Sequence, residues 1–316
     1  MSATNTAPAY NRDSESSDLL KYFACPTCKT PLTVQSSSMR CSAGHEYPIV
    51  RGIPRFVSSD QYVDSFSFEW NTHNTTQLDF AQKNSNSKVI LSQKTGLSEE
   101  DVRGKLVLDA GVGAGRFSDI LSNWGANVIG ADLSYAVEAS GQNLKDRPNV
   151  QITQADIGNL PFAPETFDYI ISIGVLHHTP DTRTYFERLV PLLKKGGTIA
   201  IWLYPNMGDY ATRAQWIPYT YKIPDKMFYE WCRFWVPIFK RNINTSIVRW
   251  IGSVFPFSNQ NYGLENDILD TFDGFSPRFH GVHNPEEVME WFSAAGLTDI
   301  ESLPQWYTSV RGKKPL

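Results

Sequence analysis

Residues 105–117 read KLVLDAGVGAGRF, and the reading of this stretch decides the fold. Leu106 to Ala110 form a short apolar run with one acid, and Gly111, Gly113 and Gly115 follow at once. The next segment, GRFSDILSNWG, has amphipathic helical spacing and stops at Gly125. A strand, a glycine turn and a helix therefore stand in immediate succession. Working outward, ANVIGADLS reads as a strand, AVEASGQNLKD as a helix, and VQITQAD and FDYIISIGVL as strands. TRTYFERLVPLLKKGG reads as a helix with a glycine stop, and TIAIWLY as a strand. Apolar strands alternating with helices of about 10–15 residues predict an α/β fold with a parallel sheet covered on both faces.

The glycine turn also carries chemistry. Glycine lets the backbone approach a ligand closely, and a helix N-terminus favours polar or anionic groups. Asp132 ends the next strand, 21 residues after Gly111. A carboxylate there can accept hydrogen bonds from ribose hydroxyls. Turn and acid together predict a nucleoside cofactor. The dinucleotide fingerprint G-x-G-x-x-G needs its third glycine one residue later than Gly115.

At this point the chain resembles the class I S-adenosylmethionine-dependent methyltransferases, of the methyltransferase type 11 kind. The resemblance rests on LDAGVGAGRF, the acid in GADLS, QADIGNLPF, and FDYIISIGVLHHTPD followed by LLKKGGTIAI. It covers roughly residues 100–204 and resumes from about 265 to the end. It implies a Rossmann-like seven-stranded sheet with helices on both faces. It also implies that Asp109 and the Gly111, Gly113 and Gly115 backbone face the methionine end of S-adenosyl-L-methionine. Asp132 would hold the ribose hydroxyls, with Leu133 beside the adenine. Asp156 would accept from the adenine amino group, with Ile157 packed on the ring, and Ser172 to His177 would form the wall where cofactor meets substrate. Val112 departs from the small residue usual at its position, without consequence for a contact made by backbone.

Methyl transfer from a sulfonium needs alignment and exclusion of water, plus a base where the acceptor carries a proton. His177 and His178 follow a strand at the carboxyl end of the sheet and are candidates for that base or for shaping the cofactor wall. Two adjacent loop histidines without a carboxylate cluster do not suggest a metal. Glu69, Trp70 and His73 in FSFEWNTH, Tyr204 at the end of its strand, and Asp270, Asp273, His280 and His283 are further candidates for contact with the acceptor. Each has an ordinary structural alternative.

At the other end, Cys25-x2-Cys28-x12-Cys41-x3-His45 places two close pairs of ligand residues on separate turns. Three thiolates and one imidazole suit tetrahedral zinc, and four protein ligands leave no open position, so the ion would be structural. Similar modules occur in bacterial 23S ribosomal RNA guanine methyltransferases and beside methyltransferases of small metabolites and sugars. Residues 1–57 hold six Lys and Arg against four Asp and Glu, which is no basic stripe for RNA. Cys232 stands apart as a small apolar filler.

These readings divide the chain into a disordered tail (1–18), a zinc-ribbon-like module (19–57) and a connector or cap (58–95). The cofactor-binding domain takes 96–204 and 264–316, with an aromatic helical insertion at 205–263. For the insertion, three readings stand: a lid over the substrate, a homodimer interface, and a helix lying on a membrane surface with Lys240, Arg241 and Arg249 toward the headgroups. The net charge of −4 argues against a general polyanion binder. The polar opening segment and the lack of ~18 uninterrupted apolar residues predict a cytoplasmic protein. The function expected is methyl transfer to an oxygen or nitrogen of a small molecule, metabolite or sugar-like. The alternatives are an RNA methyltransferase that uses the zinc module to bind RNA, and a non-catalytic cofactor-binding scaffold.

Overall fold

The computed structural model of the protein describes residues 18–57, 86–255, 257–258, 263–304 and 307–316. A 3-10 turn, Asp18–Tyr22, leads into a small antiparallel sheet of β1 (Thr33–Gln35), β2 (Ser38–Arg40), β3 (Glu46–Val50) and β4 (Ile53–Pro54). Helix α1 (Asn86–Thr95) and the short α2 (Glu99–Val102) precede the large sheet. Its strands are β5 (Leu106–Ala110), β6 (Asn127–Asp132), β7 (Val150–Gln154), β8 (Phe167–Ile173), β9 (Leu193–Trp202), β10 (Thr298–Ser302) and β11 (Ser309–Lys313). The seven lie in the order β10-β11-β9-β8-β5-β6-β7. Neighbours from β9 across to β7 are parallel, and β11 runs antiparallel to both β9 and β10.

Period-two alternation explains how so short a strand as LVLDA serves two cores. Leu106, Leu108 and Ala110 enter one buried cluster with Ile170, Ile199, Phe186 and Phe292, whereas Val107 enters the other with Val128, Ile171 and Leu121. Helices α3 (Arg116–Asn123) and α4 (Ala136–Asn143) cover the second face, and α5 (Thr182–Leu189) and α10 (Pro285–Ala294) cover the first. This is the sheet with helices on both faces that the sequence predicts.

The reversal at β8 to β5 leaves a crevice at the carboxyl ends of the strands, where ligands bind in such sheets. A helical layer of α6 (Gly208–Thr220), α7 (Asp225–Arg241), α8 (Ser246–Val254) and α9 (Leu264–Asp273) is built into the chain after β9. Its own core includes Phe228, Cys232, Val236, Phe239, Ile268, Phe272 and Phe275. The layer thus runs on through α9, past the boundary at 263 read from the sequence, because α9 presents Ile268 and Phe272 to α7. Cys232 is fully buried there as a filler.

Two segments differ from their sequence reading. The polar connector includes an ordered helix, α1, whose Ser87, Leu91 and Lys94 are buried. Residues 58–85, with the candidates Glu69, Trp70 and His73, lie outside the described residues, as does the tail 1–17. The N-terminal module is also no separate appendage. Phe23 packs between Phe56 and Phe162 with ring centroids 5.8 and 5.0 Å away. Residues 52–56 run along edge strand β7, where the Phe56 amide donates to the Gln154 carbonyl (2.8 Å) and the Thr153 hydroxyl donates to the Pro54 carbonyl (3.0 Å). The module thereby covers a sheet edge that would otherwise expose unpaired backbone. Buried Arg55 ties it down further, donating to Gln154 Oε1 (3.0 Å) and pairing with Glu138 (2.5 Å). Arg55→Ala is expected to cost about 2 kcal/mol in denaturant unfolding, below the ~3–5 of a fully orphaned buried charge. The moderating partner is Arg51, which stays 2.7 Å from Glu138. An unchanged unfolding midpoint would show that the edge contact contributes nothing.

Candidate cofactor and acceptor site

The glycine turn is held by the tip of the neighbouring strand. The amides of Gly111 and Val112 both donate to the Ala131 carbonyl, at 2.8 and 3.0 Å. The Gly113 amide donates to Asp132 Oδ2 (3.0 Å), and the Ser134 amide and hydroxyl both donate to Oδ1 (2.9 and 2.7 Å). Gly111 has φ +95°, and a Cβ there would meet Val175 at 2.3 Å; Gly115 has φ +92° and would meet Leu144 at 2.7 Å. Only glycine fits both the left-handed backbone and the contact. The result is a preformed backbone cradle with one partly exposed carboxylate at its mouth.

Burial raises the Asp132 carboxyl, and the donors from Ser134 and Gly113 hold it down in part. Oδ1 is taken up by the two Ser134 donors, whereas Oδ2, which accepts from the Gly113 amide, keeps a second lone pair for a ligand hydroxyl. Asp109 lies beneath the turn, 2% exposed, with the Ser118 hydroxyl donating to it at 2.7 Å. Burial pushes its carboxyl up to about 7, against the Ser118 bond and with the Asp132 charge adding to the rise. Asp156 is half-buried and caps the turn Ile157–Asn159 by accepting from the Gly158 amide at one oxygen (2.8 Å), with no bond to the other among the described residues. Ile157 is buried beside it, and Leu133 is half-buried with its carbonyl accepting from Gln154. Ser172 is fully buried and donates to the Ala110 carbonyl (2.8 Å), tying β8 to β5. All of these residues thus gather at the carboxyl ends of β5 to β8.

Beyond them, across the ends of β8 and β9, lies a cluster of rings. His177 is fully buried and stacks on Tyr204 with centroids 3.7 Å apart. Its Nδ1 accepts from the Tyr204 amide (3.3 Å), so the neutral ring carries its proton on Nε2, an atom with no hydrogen-bond partner among the described residues. His178 has the opposite tautomer. Its Nδ1 lies 2.9 Å from the Phe279 carbonyl, which can only accept, so the lone pair of the neutral ring sits on Nε2. Burial lowers both histidines, His177 well below its ordinary value with His178 and His280 adding to the effect, and His178 against the opposing charge of Asp273. Both are therefore neutral near pH 7.

His280 stands 5.8 Å from His178 and 5.0 Å from Tyr204 between ring centroids, with both of its ring nitrogens buried. Burial pushes it down to about 3, with His178 and Arg213 adding to the push. The Tyr204 hydroxyl donates to Asp273 (3.1 Å), and burial and Asp273 hold it well above the ordinary tyrosine range, so it is a donor and not a base. Burial pushes the Asp270 carboxyl up to about 6, with Asp273 adding and Arg213 opposing. His283 is turned away: it contacts Thr182 (3.1 Å) and Glu287 (3.3 Å) and stitches its strand segment to Tyr204 by backbone.

Three residues of this cluster carry no sequence signal. Lys94 of α1 is buried with its ammonium 3.1 Å from the Trp202 ring centroid, and Tyr210 and Arg213 come from α6. Tyr210 packs on Tyr204 at 4.5 Å, and Arg213 lies against Phe275 at 5.6 Å. Only folding brings α1 and α6 to the end of the sheet. A strand end followed by two histidines could point to the cluster, but not to Lys94, Tyr210 or Arg213.

The four ligand atoms of Cys25, Cys28, Cys41 and His45 lie within 4.8 Å of one another. Cys28 and Cys41 sulfurs are 3.6 Å apart, and His45 Nδ1 is 3.5 and 3.4 Å from the Cys25 and Cys41 sulfurs. Tetrahedral zinc with bonds of ~2.3 Å to sulfur and ~2.0–2.1 Å to nitrogen requires edges of roughly 3.8 and 3.6 Å. The donor set and its spacing therefore fit that ion. Burial raises the Cys25 thiol, but the Tyr47 hydroxyl and the amides of Cys28 and Thr27 outweigh it and bring it down to about 6.

Residues 108–201 match the family model described as a methyltransferase domain. Over 107 residues the chain is 34% identical to phosphoethanolamine N-methyltransferase 2 of Caenorhabditis elegans, covering 32% of this chain and 24% of that one. Over 100 residues it is 32% identical to the ubiquinone biosynthesis O-methyltransferase of Coxiella burnetii, covering 31% of this chain and 43% of that one. The chain thus spans less than half the length of these curated relatives. Among solved structures, phosphoethanolamine N-methyltransferase 2 of Haemonchus contortus aligns over 78% of this chain and 47% of its own at 20% identity and a TM-score of 0.45. The matched stretch runs from β5 through β9 and contains the glycine turn, both acidic strand ends and the histidine pair, so the centre of the chain is similar to a methyltransferase domain.

Proposed function

We propose that the protein transfers the methyl group of S-adenosyl-L-methionine to an oxygen or nitrogen atom of a small molecule. One observation carries this reading: the cradle of Gly111 to Gly115 with Asp132 opens at the same carboxyl end of the sheet as a closed cluster of neutral histidines. When bound, the cofactor supplies a sulfonium methyl. Asp132 accepts the ribose hydroxyls, Asp156 the adenine amino group, and Leu133 and Ile157 hold the ring. The wall from Ser172 to His177 is rigid because Ser172 is tied to β5 and His177 to the Tyr204 backbone.

His178 takes the acceptor's proton at Nε2, oriented by its bond to the Phe279 carbonyl. A ring held neutral by burial is ready for that role with a hydroxyl or a protonated amine alike. Tyr204, Tyr210 and the helical layer exclude water from the reacting atoms. The names of the relatives, a phosphoethanolamine N-methyltransferase and a ubiquinone O-methyltransferase, support a small-molecule acceptor of either kind. For the cysteine and histidine cluster we propose a structural zinc ion, since four protein ligands complete the tetrahedron.

Calorimetric titration with S-adenosylhomocysteine tests the first step. Asp132→Ala is expected to weaken binding by about 10–100-fold, the loss of one or two hydrogen bonds to a charged acceptor. Unchanged affinity would overturn the assignment, and no binding by the wild-type protein would remove the enzyme reading altogether.

A further inference from the structure

Helix α7 carries two apolar stripes, and the protein covers one of them. Phe228, Cys232, Val236 and Phe239 are buried in the core of the helical layer. Met227, Phe234, Trp235 and Ile238 form a second stripe beside it that faces outward, with Phe234 62% exposed. The next helix does the same: Val248 of α8 is buried, whereas Ile247, Trp250 and Val254 recur at helical spacing on its outer side, Ile247 72% and Trp250 67% exposed. Large apolar residues exposed in stripes on two successive helices mark an interaction surface rather than the usual scatter of single residues.

Charge identifies what would cover it. The whole chain has a net charge of −4, yet residues 208–254 of α6 to α8 hold seven Lys and Arg against three Asp and Glu, and of the four acids that α9 adds only Glu265 is exposed. Arg233 is matched by Glu230, and Lys240 by Asp267. Lys222, Lys226, Arg241 and Arg249 are exposed and have no carboxylate within ion-pair distance among the described residues. Indole and phenyl rings with uncompensated cations beside them are the composition that settles at the headgroup level of an anionic bilayer. No helix among the described residues is long and apolar enough to cross a membrane. A second copy of the chain would bring the same cations against their own kind across a two-fold contact.

We propose that the outer face of α7 and α8 docks on an anionic lipid surface, lying in its interface without spanning it. The same helical layer brings Tyr210, Arg213, Asp270 and Asp273 to the histidine cluster, so docking would place the acceptor site next to the bilayer. The proposal stands on the surface alone and does not require methyl transfer.

Sedimentation of the full chain with vesicles tests it. Phosphatidylcholine mixed with phosphatidylglycerol is expected to bind at least about tenfold more protein than phosphatidylcholine alone, and high salt should abolish the difference. Arg249→Ala should lower the partition coefficient about fivefold, the share of one cation near such a surface. Phe234→Glu and Trp250→Glu should abolish binding with an unchanged melting midpoint, since both side chains are exposed. Equal or absent binding to the two kinds of vesicle would overturn the proposal. So would a glutamate variant that converts a dimer to a monomer and leaves vesicle binding intact.

Discussion

Cys41→Ser should release one zinc ion per chain and lower the melting midpoint by more than about 10 °C. Structural zinc binds small Cys/His modules with about 10–16 kcal/mol at neutral pH, and that binding energy is folding energy. Each kcal/mol moves the midpoint by roughly 2–4 °C in a domain of 150–250 residues, so loss of even part of the metal's contribution is plainly visible. The effect reaches beyond the module itself. Cys25, Cys41, Met39 and Phe23 belong to the same buried cluster as Phe162 and Phe167 of the central domain. Without the metal, residues 52–56 lose their anchor and the edge strand β7 loses its cover. Cofactor binding should persist in a weakened form, because the glycine turn and Asp132 are held by β6 rather than by the module. A variant that keeps both its metal and its midpoint would rule out the structural ion. One that keeps its midpoint but loses retention of RNA on a filter would assign the module to nucleic acid.

His178→Gln is expected to lower kcat by about 10²–10⁴-fold, the usual contribution of a positioned general base. The assay uses whichever hydroxyl or amine supports turnover in a panel of small-molecule acceptors. Affinity for S-adenosylhomocysteine should stay the same, because His178 turns its Nδ1 to the Phe279 carbonyl and lies past the wall that ends at His177. Glutamine can replace the donor to that carbonyl but has no lone pair of comparable basicity at the far end of the ring. The pH dependence is a further signature. Burial lowers the folded value of His178 below the ordinary range of histidine. Wild-type activity should therefore hold down through pH values where a surface histidine would already be protonated, and fall only below that range. An unchanged kcat in the variant would leave the acceptor's proton to another group and make His178 a loop-shaping residue. A loss of cofactor affinity equal to the loss of turnover would place it on the cofactor instead.

Much of this site was legible before folding was considered. Gly111, Gly113 and Gly115 after an apolar run, with Asp132 at the next strand end, pointed to the cradle because those positions depend on backbone geometry and short-range spacing. The same holds for Cys25, Cys28, Cys41 and His45, whose two turns bring the ligands together by local chain length. The histidine pair was placed at the right end of the sheet by the strand before it.

Other features had no local signature. Ser172 was read as part of the cofactor wall, and its hydroxyl is spent on the Ala110 carbonyl of a strand 62 residues away in sequence. Lys94 reads as an ordinary helical cation, yet it is buried over Trp202 because α1 packs against β9. The opposite tautomers of His177 and His178, adjacent in sequence and alike in chemistry, follow from the Tyr204 amide just past β9 and a carbonyl at Phe279.

By itself, then, the sequence determined the strand order's raw material, the glycine cradle with its acids, and the four-ligand knuckle, because each is set by periodicity or by contacts between near neighbours. Only the tertiary structure decided that the knuckle covers a sheet edge, which histidine nitrogen holds a lone pair, and which stripe of α7 is left uncovered. Those outcomes depend on groups from distant segments meeting in one place, where burial and a single hydrogen bond choose among side-chain states that are equal in the isolated chain.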